Sequence, residues 1–400
     1  MIKYSIVAFL LVVVLAAGGA YYVYMLNGAS APAIQTGSTP GVTDTEILLG
    51  SSSALSGPAA SLGTNLISGA NVAIREINEA GGVNGRILKL VSYDDQYDPP
   101  KAVENTQKLI NEDKVFVLFN YVGTPTGVKV MPVVADAKVP LVGMFTGAEA
   151  FRNPLQRYIF NIRGSYYQET ELATRYFVDN LGLKKIAVLY QADAFGIAGF
   201  EGTKIALDKR GLKPVATGTY ERNTVDVEEG TRAITASDAQ AVIMIGTYSP
   251  LAKSVELIKG DRPEMLFHTV SFVGPEAFIH ELNGKTDNVF VTQVVPPTYY
   301  GELFDAVKRY NDGLAKYYPD TEATFGGLEG YVNTKILAEG IRLAGTELTR
   351  EGLVGALESL KNFDVGIGVN VSFSPTNHQG LDKVYLTDFD KGTFEIVPVK

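Results

Sequence analysis

From residue 44 onward, short apolar runs alternate with stretches whose apolar residues recur at helical spacing. The runs at 47–53, 87–93, 115–119, 141–145, 186–190, 214–220, 241–245, 265–268 and 288–292 predict strands. Several are Val/Ile/Leu-rich without polar alternation, the pattern of a parallel sheet covered on both faces. Helices are predicted over 65–80, 100–112, 127–137, 168–181, 196–210, 227–237 and 251–259. In the 168–181 stretch, Leu172, Tyr176 and Phe177 fall on one helical face. Strand–helix alternation predicts an α/β fold of mostly parallel sheets with right-handed crossovers. Its recurrence on either side of 157–164 predicts two similar lobes. Later, 303–317, 327–344 and 348–360 read as helices, and 371–373, 383–389 and 394–399 as closing strands. Asp390-Lys391-Gly392 predicts a hairpin turn between the last two strands.

A different pattern precedes this body. Lys3 is followed by an apolar run over 6–26, broken only by Gly18-Gly19 and tyrosines. One reading is a secretory signal with its apolar core at 6–17 and a small-residue cleavage site at Ala29-Ser30-Ala31 or Ala31-Pro32-Ala33. The other is an uncleaved helix anchored in the inner membrane, since about 20 apolar residues span a bilayer. Tyr21, Tyr22 and Tyr24 then lie at the interface. Residues 1–27 are assigned to this signal or anchor, and 28–43, rich in Gly, Ser, Thr and Pro, to a linker. Either way the body is expected outside the cytoplasm, in the periplasm or on the outer face of the cytoplasmic membrane.

Composition narrows the chemistry. The net charge of -9, with no large basic block, speaks against a nucleic-acid partner, whose phosphates require Lys and Arg. The chain has no cysteine, which removes disulfides, thiolate metal sites and cysteine nucleophiles. Its 3 histidines, His268, His280 and His378, stand at no metal-ligand spacing. No phosphate loop, dinucleotide fingerprint or nucleophile elbow is present. Asp94 and Asp95, at the end of a predicted strand, are expected to cap a helix or hold a loop; with Glu276 they are the acids an enzyme reading would use. No nucleophile–base constellation supports that reading, so no catalytic residue and no cofactor are assigned.

What stands out instead are small polar loops at strand ends, where open α/β sheets bind ligands. Residues 51–58, Ser-Ser-Ser-Ala-Leu-Ser-Gly-Pro, form such a loop after the first strand. Gly123-Thr124-Pro125-Thr126 follows the third strand, and Thr124 or Thr126 is expected to cap the next helix, whose free N–H groups then face an anion. Thr146-Gly147-Ala148 ends the neighbouring strand, so the two loops together could hold a carboxylate. From the second lobe, Tyr166, Phe195, Tyr248 and Ser271-Phe272 lie near strand ends or crossovers. Tyrosine there supplies a flat wall with a polar tip.

Ala54-Leu55-Ser56-Gly57-Pro58-Ala59, Gly81-Gly82-Val83-Asn84-Gly85-Arg86, Asp94-Asp95-Gln96-Tyr97-Asp98-Pro99, Tyr167-Gln168-Glu169 and Asp193-Ala194-Phe195-Gly196 occur in this order. With them the chain resembles the type I periplasmic binding proteins, in the leucine/isoleucine/valine-binding (branched-chain amino acid ABC transporter substrate-binding) family. The resemblance implies two Rossmann-like lobes joined by a three-crossing hinge near Arg163, 293–296 and 374–380. One lobe would comprise 44–162 with 294–373, the other 163–293 with 374–400. It implies that Gly123, Thr124, Thr146, Gly147 and Ala148 grip a ligand carboxylate and that Phe195 and Tyr248 cover it. Tyr97, Tyr166 and Ser271 complete the candidate ligand set. Ser271 stands where amino-acid receptors of this group carry an acid for the ligand ammonium; Glu276 lies further on, and Leu62 stands where some relatives have an aromatic wall. The implied function is capture of an amino acid or related small carboxylate for an ABC importer, with the transporter permease as partner. The alternative is a membrane-anchored ligand sensor reporting to a signalling partner.

Overall fold

The computed structural model describes residues 39–400. The expected signal or anchor, and most of the linker, lie outside the described residues. No helix among the described residues is long and apolar enough to cross a membrane.

The chain opens with β1 (Glu46–Ser53), α1 (Ala60–Glu79) and β2 (Ile87–Asp94), a βαβ unit whose strands pair in parallel from Glu46 opposite Ile87 to Ser53 opposite Asp94. It continues through α2 (Pro99–Asn111), β3 (Val117–Phe119), α3 (Thr124–Ala137), β4 (Leu141–Val142) and β5 (Ile159–Phe160). These strands form a parallel sheet in the order β2-β1-β3-β4-β5. Asp98 starts α2 by accepting the Lys101 N–H, with prolines in the first turn where no N–H is needed.

The second sheet is built from β6 (Ile186–Gln191), β7 (Thr217–Tyr220), β8 (Ala241–Ile245), β9 (Leu266–Thr269) and β10 (Val289–Gln293), which run parallel in the order β10-β9-β8-β6-β7. Its helices are α4 (Tyr166–Thr174), α5 (Ala194–Asp208), α6 (Glu228–Thr235), α7 (Tyr248–Asp261) and α8 (Pro275–Leu282). After β10 the chain returns to the first sheet. There α9 (Asp305–Tyr317), α10 (Phe325–Ala344) and α11 (Arg350–Ser359) pack with α1 and each other. A small hairpin, β11 (Phe363–Asp364) with β12 (Asn370–Val371), follows. The chain end crosses back as β13 (Tyr385–Asp390) and β14 (Thr393–Ile396), β13 pairing antiparallel with β10. The β13–β14 turn is Lys391-Gly392, both at positive φ as a two-residue hairpin turn demands.

Several expectations need correction. Strand 141–145 shrinks to two residues because Gly143 turns to φ 74°. The strand expected at 115–119 begins at Val117, and β5 and β11, two residues each, are too short to show a period. Helix α8 was not expected; Gly274 in the left-handed region and Pro275 start it directly after a 3-10 turn. The helix expected over 168–181 becomes α4 and a π-helical segment, Arg175–Asn180.

The tightest helix packing joins α1 to α10. A Cβ at Gly69 would overlap the Gly327 carbonyl, and one at Gly330 would overlap that of Leu66. Here the two backbones touch, and no side chain fits between them. Gly69→Ala is therefore expected to lower stability by about 1–3 kcal/mol, as overpacked cores do, read from a urea unfolding midpoint. A loss below a few tenths would mean that the helices slide apart freely.

Candidate functional site

Parallel strands deliver their C-terminal loops to one edge of a sheet. In this chain the loops of both sheets meet. Gly123 precedes α3 at φ 103°, and a Cβ there would overlap the ring of Tyr97. Tyr97 is fully buried, in the loop after β2 at φ 58°. Its ring centroid lies 5.9 Å from that of Phe272, which is 4.6 Å from Phe195. Phe195 in turn lies 5.3 Å from Tyr166. Tyr166 donates its N–H to the Gly147 carbonyl at 2.7 Å and packs its ring on Gly147. The Thr146 hydroxyl is 2.7 Å from the Thr124 hydroxyl, next to Gly123. These contacts close on themselves, with Tyr97, Gly123, Thr124, Thr146 and Gly147 contributed by the first sheet and Phe195 and Phe272 by the second. Tyr166 lies at the start of α4, beyond the first crossing.

The remaining candidates lie off this ring. Ala148 spends both backbone groups locally, its N–H on the Thr146 hydroxyl and its carbonyl on Arg152. Tyr248 stands with Leu62 around Gly274. Ser271 faces away from the ring. Its N–H and hydroxyl donate to Glu169 at 2.7 and 3.0 Å, and the hydroxyl accepts from Arg163.

The polar loop after the first strand is also committed elsewhere. Ser51, Ser52 and Ser53 belong to β1 and are fully buried; Ser51 and Ser53 donate to the Asn120 carbonyl, and Ser52 to Asp95. Asp94 accepts the N–H groups of Leu55, Ser56 and Gln96, and Asp95 accepts the Ser52 hydroxyl and the Tyr97 N–H, so the acidic pair holds two loops together. Burial raises the Asp95 carboxyl to about 6 against those bonds. Neither Thr124 nor Thr126 caps α3: Thr126 donates to the Val122 and Gly123 carbonyls, and the cap residue is Gly123. The first-turn N–H groups of α3 are thus left without a side-chain acceptor.

Sequence reasoning missed a buried ionic cluster beside the ring. Arg163, 1% exposed, lies 3.9 Å from Glu169 and 3.5 Å from Glu329, with its guanidinium 4.6 Å from the Phe145 ring centre. Glu169 on α4 accepts from Ser271 and from Thr292 at the end of β10. Glu329 on α10 has an oxygen with no hydrogen bond, and burial pushes its carboxyl up to about 7 against the pull of Arg163. Arg152 closes the cluster by donating to the Arg163 carbonyl and to Gln379 of the last crossing. The sequence does carry a signal for it: Glu329 is the lone charge in the stretch 325–334.

Between the sheets lies a cavity of about 10 Å³ lined by Leu62, Asn65, Phe145, Glu276 and Gly326. That is room for about one water molecule. Glu276 accepts the Phe325 N–H at 2.7 Å, and burial raises its carboxyl to about 7. Larger cavities lie elsewhere, one of about 430 Å³ among Gln168, Asn370 and Gln379. Among the described residues no cluster of His, Asp and Glu is placed to hold a metal ion.

The periplasmic binding protein family model matches residues 46–393. The chain is 28% identical over 204 residues to the "Amino acid binding protein" of Pseudomonas aeruginosa, which covers 51% of this chain and 54% of that one. Over 331 residues it is 24% identical to the "Leu/Ile/Val-binding protein BraC3" of Rhizobium johnstonii, covering 81% and 86% of the two chains. Among solved structures it resembles a possible leucine/isoleucine/valine-binding protein of Rhodopirellula baltica, with TM-score 0.84, 32% identity and coverage of 88% and 96%. By strand order, by the meeting of strand-end loops and by the match along nearly the whole described body, this chain belongs to the periplasmic binding protein family.

Proposed function

We propose that the chain captures an amino acid between its two α/β lobes, outside the cytoplasm, and presents it to the permease of an ABC importer. The lobes are 44–162 with 294–373 and 163–293 with 374–400. The observation that supports this most is the closed chain of contacts linking strand-end loops of both sheets. Thr124, Thr146 and the uncapped N–H groups of α3 suit a carboxylate. Glu276, rather than Ser271, suits the ammonium: Ser271 is saturated by Glu169 and Arg163, whereas Glu276 lines the cavity between the sheets with a carboxyl that a cation would stabilise. The names of the Pseudomonas and Rhizobium relatives agree with an amino-acid ligand.

Titration calorimetry with alanine, valine, leucine and phenylalanine, and with their amine-free acids, tests the reading. At least one amino acid is expected to bind at micromolar Kd or tighter. Absence of binding by every probe would sink it. Glu276→Gln is expected to weaken the amino acids at least tenfold and the amine-free acids hardly at all. Equal weakening of both series would remove Glu276 from the site. Thr124→Ala is expected to weaken both series several-fold.

A further inference from the structure

We propose that Phe272 is the residue that limits the size of the captured ligand, an inference that rests on the amino-acid reading above. Phe272 is carried by the second sheet, yet its ring is shared by both. It lies 5.9 Å from Tyr97 and 5.5 Å from Phe145 of the first sheet, and 4.6 Å from Phe195 of its own. It is fully buried. The segment that carries it is fixed at both ends. The Ser271 N–H is held by the Glu169 carboxylate at 2.7 Å, and Gly274 sits in the left-handed region at φ 78°. The ring is therefore a wall held by its backbone, and moving it aside means breaking a charge-assisted hydrogen bond.

The cavity between the sheets runs from Glu276 to Phe145, and Phe272 is the next ring beyond Phe145. Thr146 directly follows Phe145 in the chain, so a ligand held between Glu276 and the Thr124–Thr146 pair lies against the Phe145 ring. Each further carbon then presses on Phe145 and on Phe272 behind it. Removing a buried side chain opens a cavity on the order of 150 Å³, enough for a benzene-sized guest. Polar discrimination is not needed for this kind of selection; a close-packed wall rejects by volume.

The experiment compares Kd for alanine, leucine and phenylalanine in the native chain and in Phe272→Ala, by calorimetry on the whole chain. The phenylalanine-to-alanine Kd ratio is expected to fall at least tenfold in the variant, or phenylalanine to bind only in the variant. An unchanged ratio in a variant that melts cooperatively overturns the proposal, as does loss of alanine and phenylalanine together. If Phe272→Ala does not fold, Phe272→Leu decides, with at least a threefold fall expected and an unchanged ratio overturning the proposal. Native binding with an unaltered ratio refutes the size limit alone; no binding by either protein refutes the amino-acid reading along with it.

Discussion

Arg163→Met lowers the unfolding free energy by about 3–5 kcal/mol, the range for breaking a buried ion pair from one side. Methionine keeps much of the apolar stem, so the loss isolates the guanidinium, its contact with the Phe145 ring included. Without the guanidinium, Glu169 and Glu329 face each other in an environment that is almost fully buried, and only Glu169 keeps hydrogen-bond donors, from Ser271 and Thr292. An uncompensated buried carboxylate is the expensive part of the change. Adding Glu329→Gln to Arg163→Met should therefore recover a substantial share of the loss. Urea unfolding of the two single variants and the double variant measures the coupling. A loss below about 1 kcal/mol for Arg163→Met would show that water reaches the cluster.

Stability falls as the pH rises from about 5 to 7, and Glu329 is one of the sources. In the folded chain its carboxyl sits at about 7, against an ordinary 4.5. Between those two values the folded chain keeps a proton that the unfolded chain has released. Raising the pH therefore favours unfolding through that window, and the effect is complete above about 7. A shift of this size corresponds to about 3 kcal/mol. The groups facing Glu329 are Arg163 and Arg152, which favour its charge, and Glu169, which opposes it. Other charges on α10 and its neighbours are paired on the outer side, where Arg309 and Lys335 both meet Glu76. Glu276, also near 7, and Asp95, near 6, add slopes of the same sign, as do Glu169, Asp193 and Asp388, whose carboxyls burial also raises. Melting temperatures from pH 5 to 8 are expected to drop in the native chain and to drop less in Glu329→Gln. A parallel drop in both proteins would transfer the effect to the other raised carboxyls.

The architecture was readable because buried parallel strands leave long apolar runs. β1, β6 and β8 announce themselves as such, and α1 and α10 as helices. The two-residue strands β5 and β11 carry no period, and α8 is short and follows a glycine turn, so local pattern could not find them. The ring residues Gly123, Thr124, Thr146 and Gly147 were visible as small polar loops after strands. Serines 51–53 looked the same, yet the fold uses them to hold the Asn120 carbonyl and Asp95. A hydroxyl at a strand end does not reveal which way it points. The Arg163–Glu169–Glu329 cluster draws on positions far apart in the chain, one from a crossing, one from α4 and one from α10. Only the assembled fold shows that they meet.

β13 seals the edge of β10 from across the intervening helices α9, α10 and α11. The first sheet waits as well, since α10 and α11, which pack with α1, are made only after β10. Synthesis of β1 through β10 therefore completes neither half, since both wait for elements that follow β10. Until then, the unsealed β10 invites pairing with other chains.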